Sequence, residues 1–105
     1  MYKVVLSAEF ELWLGRLRDR AAQARIASRM LRLEDGLFGD AKPVGGDVSE
    51  LRIDVGPEYR VYFIRVGLIT LVLLAGGDKR TQRRDIAMAK RLAAEWKERT
   101  DGSED

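Results

Sequence analysis

Apolar positions follow a helical rhythm in the first third and last quarter of this chain, and a two-residue rhythm between them. Tyr2 to Leu6 reads as a short strand. Ser7 then stands as an N-cap, with Glu9 and Glu11 in the first turn, where the helix dipole favours acids. Phe10, Trp13, Leu14 and Leu17 form one apolar stripe of a first helix. Asp19 can cap a second, in which Ala22, Ile26, Met30 and Leu33 share a face and which ends near Asp35 and Gly36. One continuous helix from Ser7 to Glu34 is the alternative. A helical hairpin is predicted instead, because so long an amphipathic rod would leave half its stripe uncovered by a small sheet.

Four glycines and a proline make the stretch from Asp35 to Asp47 a loop, with at most a brief strand at Lys42 to Val44. Leu51, Ile53 and Val55 then alternate with Glu50, Arg52 and Asp54, and Tyr59, Val61 and Phe63 alternate with Arg60, Tyr62 and Ile64. A two-residue turn at Pro57-Glu58 would place Arg60 in the apolar layer. A three-residue loop, Gly56 to Glu58, pairs Val55 with Tyr59 and gathers Arg52, Asp54, Arg60 and Tyr62 on the other face, taken as exposed. Burying an unpaired charge costs several kcal/mol, so the second register is predicted. Arg52 then lies across from Tyr62, and Asp54 across from Arg60. Its cost is a left-handed backbone at Glu58, about 1 kcal/mol for a residue with a side chain.

Gly67 turns the chain into Leu68 to Ala75, apolar on both faces and therefore a central strand. Gly76-Gly77-Asp78-Lys79 reads as a glycine turn without the spacing of a phosphate-binding P-loop. Thr81 caps a last helix whose core stripe is Ile86, Ala89, Ala93 and Trp96. Residues 1–99 are read as one α+β domain with a single modest core, and 100–105 as a flexible acidic tail.

Composition narrows the chemistry. The 105 residues include no cysteine and no histidine, so thiolate metal sites, disulfides and imidazole catalysis are excluded. No metal and no cofactor is expected. MYKVVLSAEFELW lacks the basic lead and long apolar run of a signal peptide, and no apolar stretch reaches membrane-spanning length, so a cytoplasmic location away from membranes is expected. Net charge is +2, but setting aside the three acids of the tail leaves the body at +5. Between Gly76 and Arg91, six bases meet two acids, a local surplus of +4 that fits a nucleic acid, an acidic partner or a solvated helix face.

Arg52, Arg60 and Tyr62 on one sheet face, with Lys79 where the central strand exits, are the candidate site. Guanidinium groups grip phosphate in a two-bond fork, and tyrosine stacks on a base or orients a hydroxyl. Such a site can cleave RNA without metal: a 2′-hydroxyl attacks the adjacent phosphate and the cations stabilise the pentacovalent transition state. A cross-strand Arg–Asp pair is equally an ordinary solvent-facing sheet surface.

Three segments together sharpen this: FELWLGRLRD through GDAKPVG, SELRIDVGPEYRVYF, and LLAGGDKRTQRRDIAMAK. Their order and spacing resemble the HigB-like killer proteins of bacterial addiction modules, in the RelE/ParE toxin superfamily. Glu58 departs from the pattern, where that family commonly has Gly. The resemblance implies an α+β fold in the order β-α-α-β-β-β-α, with a small twisted, mixed and mainly antiparallel sheet. An N-terminal helical hairpin would lie on one face, followed by a C-terminal helix. It implies the toxin of a type II toxin–antitoxin system, a ribosome-dependent mRNA endonuclease neutralised by a cognate helix-turn-helix antitoxin encoded nearby. The implied catalytic residues are Arg52, Arg60, Lys79 and Tyr62. Those implied to contact RNA are Lys42, Tyr59, Arg80, Gln82, Arg83 and Arg84, with Tyr59 ranked lower because its register faces the core. The superfamily also includes toxins that bind DNA gyrase without cutting RNA, which leaves a non-catalytic toxin or an inert antitoxin-binding module as the alternative.

Overall fold

Two side-chain caps organise the N-terminal third. The Ser7 hydroxyl oxygen accepts from the Phe10 N–H at 3.0 Å while its O–H donates to the Leu74 carbonyl, and an Asp19 carboxylate oxygen accepts from the Ala22 N–H. Between the caps, the Gln23 amide donates to the carbonyls of Leu14 and Leu17, closing off the first helix where its backbone becomes extended. The result is the helical hairpin.

In the computed structural model, which describes residues 1–103 and side chains as far as Arg99, the elements run β1 (Lys3–Leu6), α1 (Ala8–Arg16), α2 (Arg20–Glu34), β2 (Ala41–Gly45), β3 (Val48–Ile53), β4 (Tyr59–Val66), β5 (Thr70–Asp78), a 3-10 turn (Lys79–Thr81) and α3 (Gln82–Ser103). The strands form one mixed sheet in the order β1-β5-β4-β3-β2, with β1 parallel to β5 and the other pairs antiparallel. The fold is α+β, as expected, with one more strand than the predicted order. The brief segment around Lys42 is a true edge strand, where Pro43 and a register shift before Gly45 are tolerated because no further strand must pair there. Side chains of the predicted acidic tail, and residues 104 and 105 altogether, lie outside the described residues.

Helices cover both sheet faces, so two apolar layers replace the single core expected. Phe10, Ile26 and Leu33 pack with Leu51, Ile53, Tyr59, Val61 and Phe63 on the α1–α2 side. Ala89, Leu92 and Ala93 of α3 pack with Val48, Tyr62, Ile64, Val72 and Leu74 on the other. The Arg60–Tyr62 face, predicted as exposed, is therefore roofed by α3.

The β3–β4 register also departs from expectation. Ile53, not Val55, pairs with Tyr59, placing Arg52 opposite Arg60 and Glu50 opposite Tyr62. The slip is two residues, which keeps every side chain on its predicted face. It arises because Val55 leaves the ladder: its N–H bonds to the Ile53 carbonyl, and the Glu58 N–H bonds to the Val55 carbonyl, making two successive tight turns across 53–58, with residues 54–58 as the connecting loop. Glu58 takes the left-handed conformation anticipated for it, at φ 62°.

Gly76 and Gly77 form no turn. Both lie in β5, where a Cβ on Gly76 would sit 2.2 Å from the Trp13 ring and one on Gly77 only 1.8 Å from a carboxylate oxygen of Asp85. Glycine here lets α1 and α3 approach the strand from opposite sides.

Candidate functional site

Arg52 and Arg60 meet across β3 and β4, an arrangement that like charges oppose unless each finds its own counter-charge. Arg52 pairs with Asp40 at 3.3 Å, and 40% of its side chain is exposed. Arg60 lies 3.3 Å from the Glu50 carboxylate and 3.5 Å from that of Glu58, with only 6% of its side chain exposed. Both arginines open into one cleft of about 190 Å³ that also presents Asp40, Asp54 and Glu58. An incoming anion would meet guanidinium groups already held by carboxylates, and so would bind by exchange.

Beneath this cleft runs a buried polar chain that local sequence patterns do not disclose. Glu50 is fully buried; its Oε2 accepts from Gln82 at 2.6 Å and, more weakly, from the Tyr62 hydroxyl at 3.5 Å. Buried Asp85, whose charge also acts on the Tyr62 phenol, accepts from the Thr81 hydroxyl. Glu50 Oε1 and Arg60 Nε are buried without a hydrogen-bond partner among the described residues, so the network is incompletely satisfied. The cue to Glu50 was its position, two residues before Arg52 on the same strand face. Its partner Gln82 is 32 residues away, beyond any periodicity.

Burial, then the charges of Glu50 and Asp85, push the Tyr62 phenol far above its ordinary range. At neutral pH it can donate a hydrogen bond but cannot take a proton. Tyr59 faces the opposite side of the sheet, as expected, edge-on to Trp13 at 6.1 Å, and burial with nearby Asp19 and Asp78 raises its phenol as well.

The remaining candidates divide by location. Lys79 is exposed at the start of the 3-10 turn, at the sheet end shared with the 54–58 loop, but it does not line the cleft. Arg80 is exposed and bonds Asp78 at 3.0 Å, which with the Arg80 backbone N–H holds that carboxyl below its usual range. Arg83 and Arg84 project from the first turn of α3, Arg84 3.6 Å from Asp85. Lys42 stands exposed on edge strand β2, opposite Glu50. Gln82, implied by the resemblance to contact RNA, turns its side-chain amide inward to Glu50. Thus Arg52 and Arg60 come together at the cleft, Tyr62 and Gln82 lie beneath it, and the other bases surround it at a distance. Among the described residues no three acidic side chains group as a metal site, and no helix is long and apolar enough to cross a membrane.

No family model matches the chain. An uncharacterized protein of Haemophilus influenzae is 48% identical over 86 residues, a span of 82% of this chain and 87% of that protein.

Proposed function

The chain belongs to one family with that uncharacterized Haemophilus influenzae protein, and we propose that it is the toxin of a type II toxin–antitoxin pair: a ribosome-dependent mRNA endonuclease that arrests translation in the cytoplasm. The observation carrying this reading is the convergence of Arg52 and Arg60 on one open cleft, in a β-α-α-β-β-β-β-α fold close to the order the HigB-like resemblance implies. A scissile phosphate exchanging with the carboxylates of Asp40 and Glu58 would sit between two guanidinium forks. As the 2′-oxygen attacks phosphorus and the bond to the 5′-oxygen breaks, those cations stabilise the added negative charge. Lys79, Arg80, Arg83 and Arg84 extend the positive field around that end of the sheet. The neutral Tyr62 phenol cannot accept the 2′-hydroxyl proton. That proton passes to water or to a group of the ribosome, and the departing 5′-oxygen takes up a proton from the same source, which fits dependence on the ribosome.

A second reading, a non-catalytic toxin of the same fold acting on another target such as DNA gyrase, is favoured by the pairing of both arginines and the burial of Tyr62. Adding purified protein to a reconstituted translation system tests the first reading. Wild type should halt synthesis and a purified helix-turn-helix protein encoded by an adjacent reading frame should restore it; undiminished synthesis would refute the nuclease reading.

A further inference from the structure

Arg25, Arg29 and Arg32 fall at i, i+4 and i+7 of α2, spanning about 10 Å along one helix face. With Ser28, Gly39 and Asp40 they line a polar cleft of about 430 Å³. Asp40 also lines the cleft of Arg52 and Arg60, so the two depressions adjoin.

Arg29 fastens them together. Its guanidinium donates to the Arg52 carbonyl at 2.7 Å and to the Phe38 carbonyl at 2.9 Å, tying α2 to β3 and to the loop before β2. Gly39, at φ 67°, leaves the space: a Cβ there would lie 2.9 Å from the Arg29 guanidinium. Burial holds the Arg29 guanidinium below its ordinary value; Asp40 opposes this, and Arg32 and Arg25 reinforce it. Arg25 and Arg32 are exposed, and neither has a carboxylate at ion-pair distance among the described residues. Like charges on one helix face destabilise it, and a bound anion reverses that sign. The lining contains no large apolar side chain to anchor a protein partner.

We propose that this face of α2 is a phosphate-binding track that leads a single RNA strand to the Arg52–Arg60 cleft. The proposal rests on the reading of that cleft as an RNA site, and extends it to two exposed arginines, Arg25 and Arg32, outside the cleft.

The test is fluorescence anisotropy of the full-length protein with a single-stranded RNA oligonucleotide over a salt series. The double variant Arg25→Gln/Arg32→Gln should weaken binding roughly tenfold at low salt and flatten the salt slope by about 1.4, the share of two phosphate contacts on a single strand. Unchanged affinity and slope would overturn the track. If Arg52→Ala weakens RNA binding and the double variant does not, the track is wrong while the cleft reading survives. If the double variant weakens RNA binding although wild type cuts no message, the track stands and the nuclease reading falls. Loss of binding to poly-glutamate with RNA affinity intact would assign the face to an acidic protein and overturn the proposal.

Discussion

Arg52 and Arg60 are direct cross-strand neighbours whose guanidinium groups turn to different carboxylates: Arg52 to Asp40, and Arg60 to Glu50 and Glu58. This division makes the two arginines unequal as probes of function. Arg60 neutralises a fully buried Glu50, so Arg60→Ala strands a buried charge and should cost about 3 to 5 kcal/mol of stability. Urea denaturation should show this loss, and Glu50→Gln/Arg60→Met should recover much of it. An Arg60→Ala protein as stable as wild type would mean that the pair is not what holds this layer together.

Glu58 carries a left-handed backbone at the end of the 54–58 loop and a half-exposed ion pair to Arg60. Such a backbone costs about 1 kcal/mol for a residue with a Cβ, and an ion pair with a partner 47% exposed is worth less. Glu58→Gly should therefore raise the urea midpoint, whereas Glu58→Ala, which keeps the strain and loses the pair, should lower it. A drop in both variants would show that the ion pair outweighs the backbone.

Glycines in this chain differ sharply in what they allow. Gly77→Ala drives a methyl into Asp85 and Gly76→Ala drives one into Trp13, each expected to cost at least about 1 to 3 kcal/mol through overpacking. Gly15, inside α1 with nothing within 4 Å of its Cβ position, should gain about 0.5 to 1 kcal/mol on change to Ala. Thermal melts should place Gly15→Ala above wild type and both Gly76→Ala and Gly77→Ala below it.

Much of the fold was legible in the sequence for local reasons. Ser7 and Asp19 announce their caps, the two-residue alternation fixes which face each β3 and β4 side chain occupies, and Glu58 had to be left-handed for a short loop to close. What stayed hidden depended on partners far along the chain. Arg60 and Tyr62 looked solvent-facing because their polarity is compensated by Glu50 and by Gln82 from α3. Gly76-Gly77 looked like a turn because the rings and carboxylates that crowd them come from α1 and α3. Arg52, Arg60 and Tyr62 lie on the strands the alternation predicts, but the burial of Arg60 and Tyr62 was not legible.

Raised phenol groups at Tyr62 and Tyr59 carry a pH consequence. A group whose pKa rises on folding contributes stability that is complete below its unfolded value, near 10, and lost as pH climbs toward the folded one. The protein should therefore lose stability above about pH 10, and tyrosinate absorbance for these two should appear together with unfolding. Tyr62→Phe should reduce that alkaline loss. Smooth titration of Tyr59 and Tyr62 near pH 10 in the folded protein would contradict their burial.

The central claim is that Arg52 and Arg60 bind a scissile phosphate on translated messages. Arg52 is the better handle, since its pair with Asp40 is about half-exposed and its loss should cost about 1 kcal/mol, far less than that of Arg60. Mapping mRNA 5′ ends after induction is the most direct measurement, comparing wild type with Arg52→Ala at equal protein abundance. New ends in frame within translated regions for wild type, lost in the variant, are the predicted result. No new ends during growth arrest, or identical cuts from the Arg52→Ala protein, would contradict it.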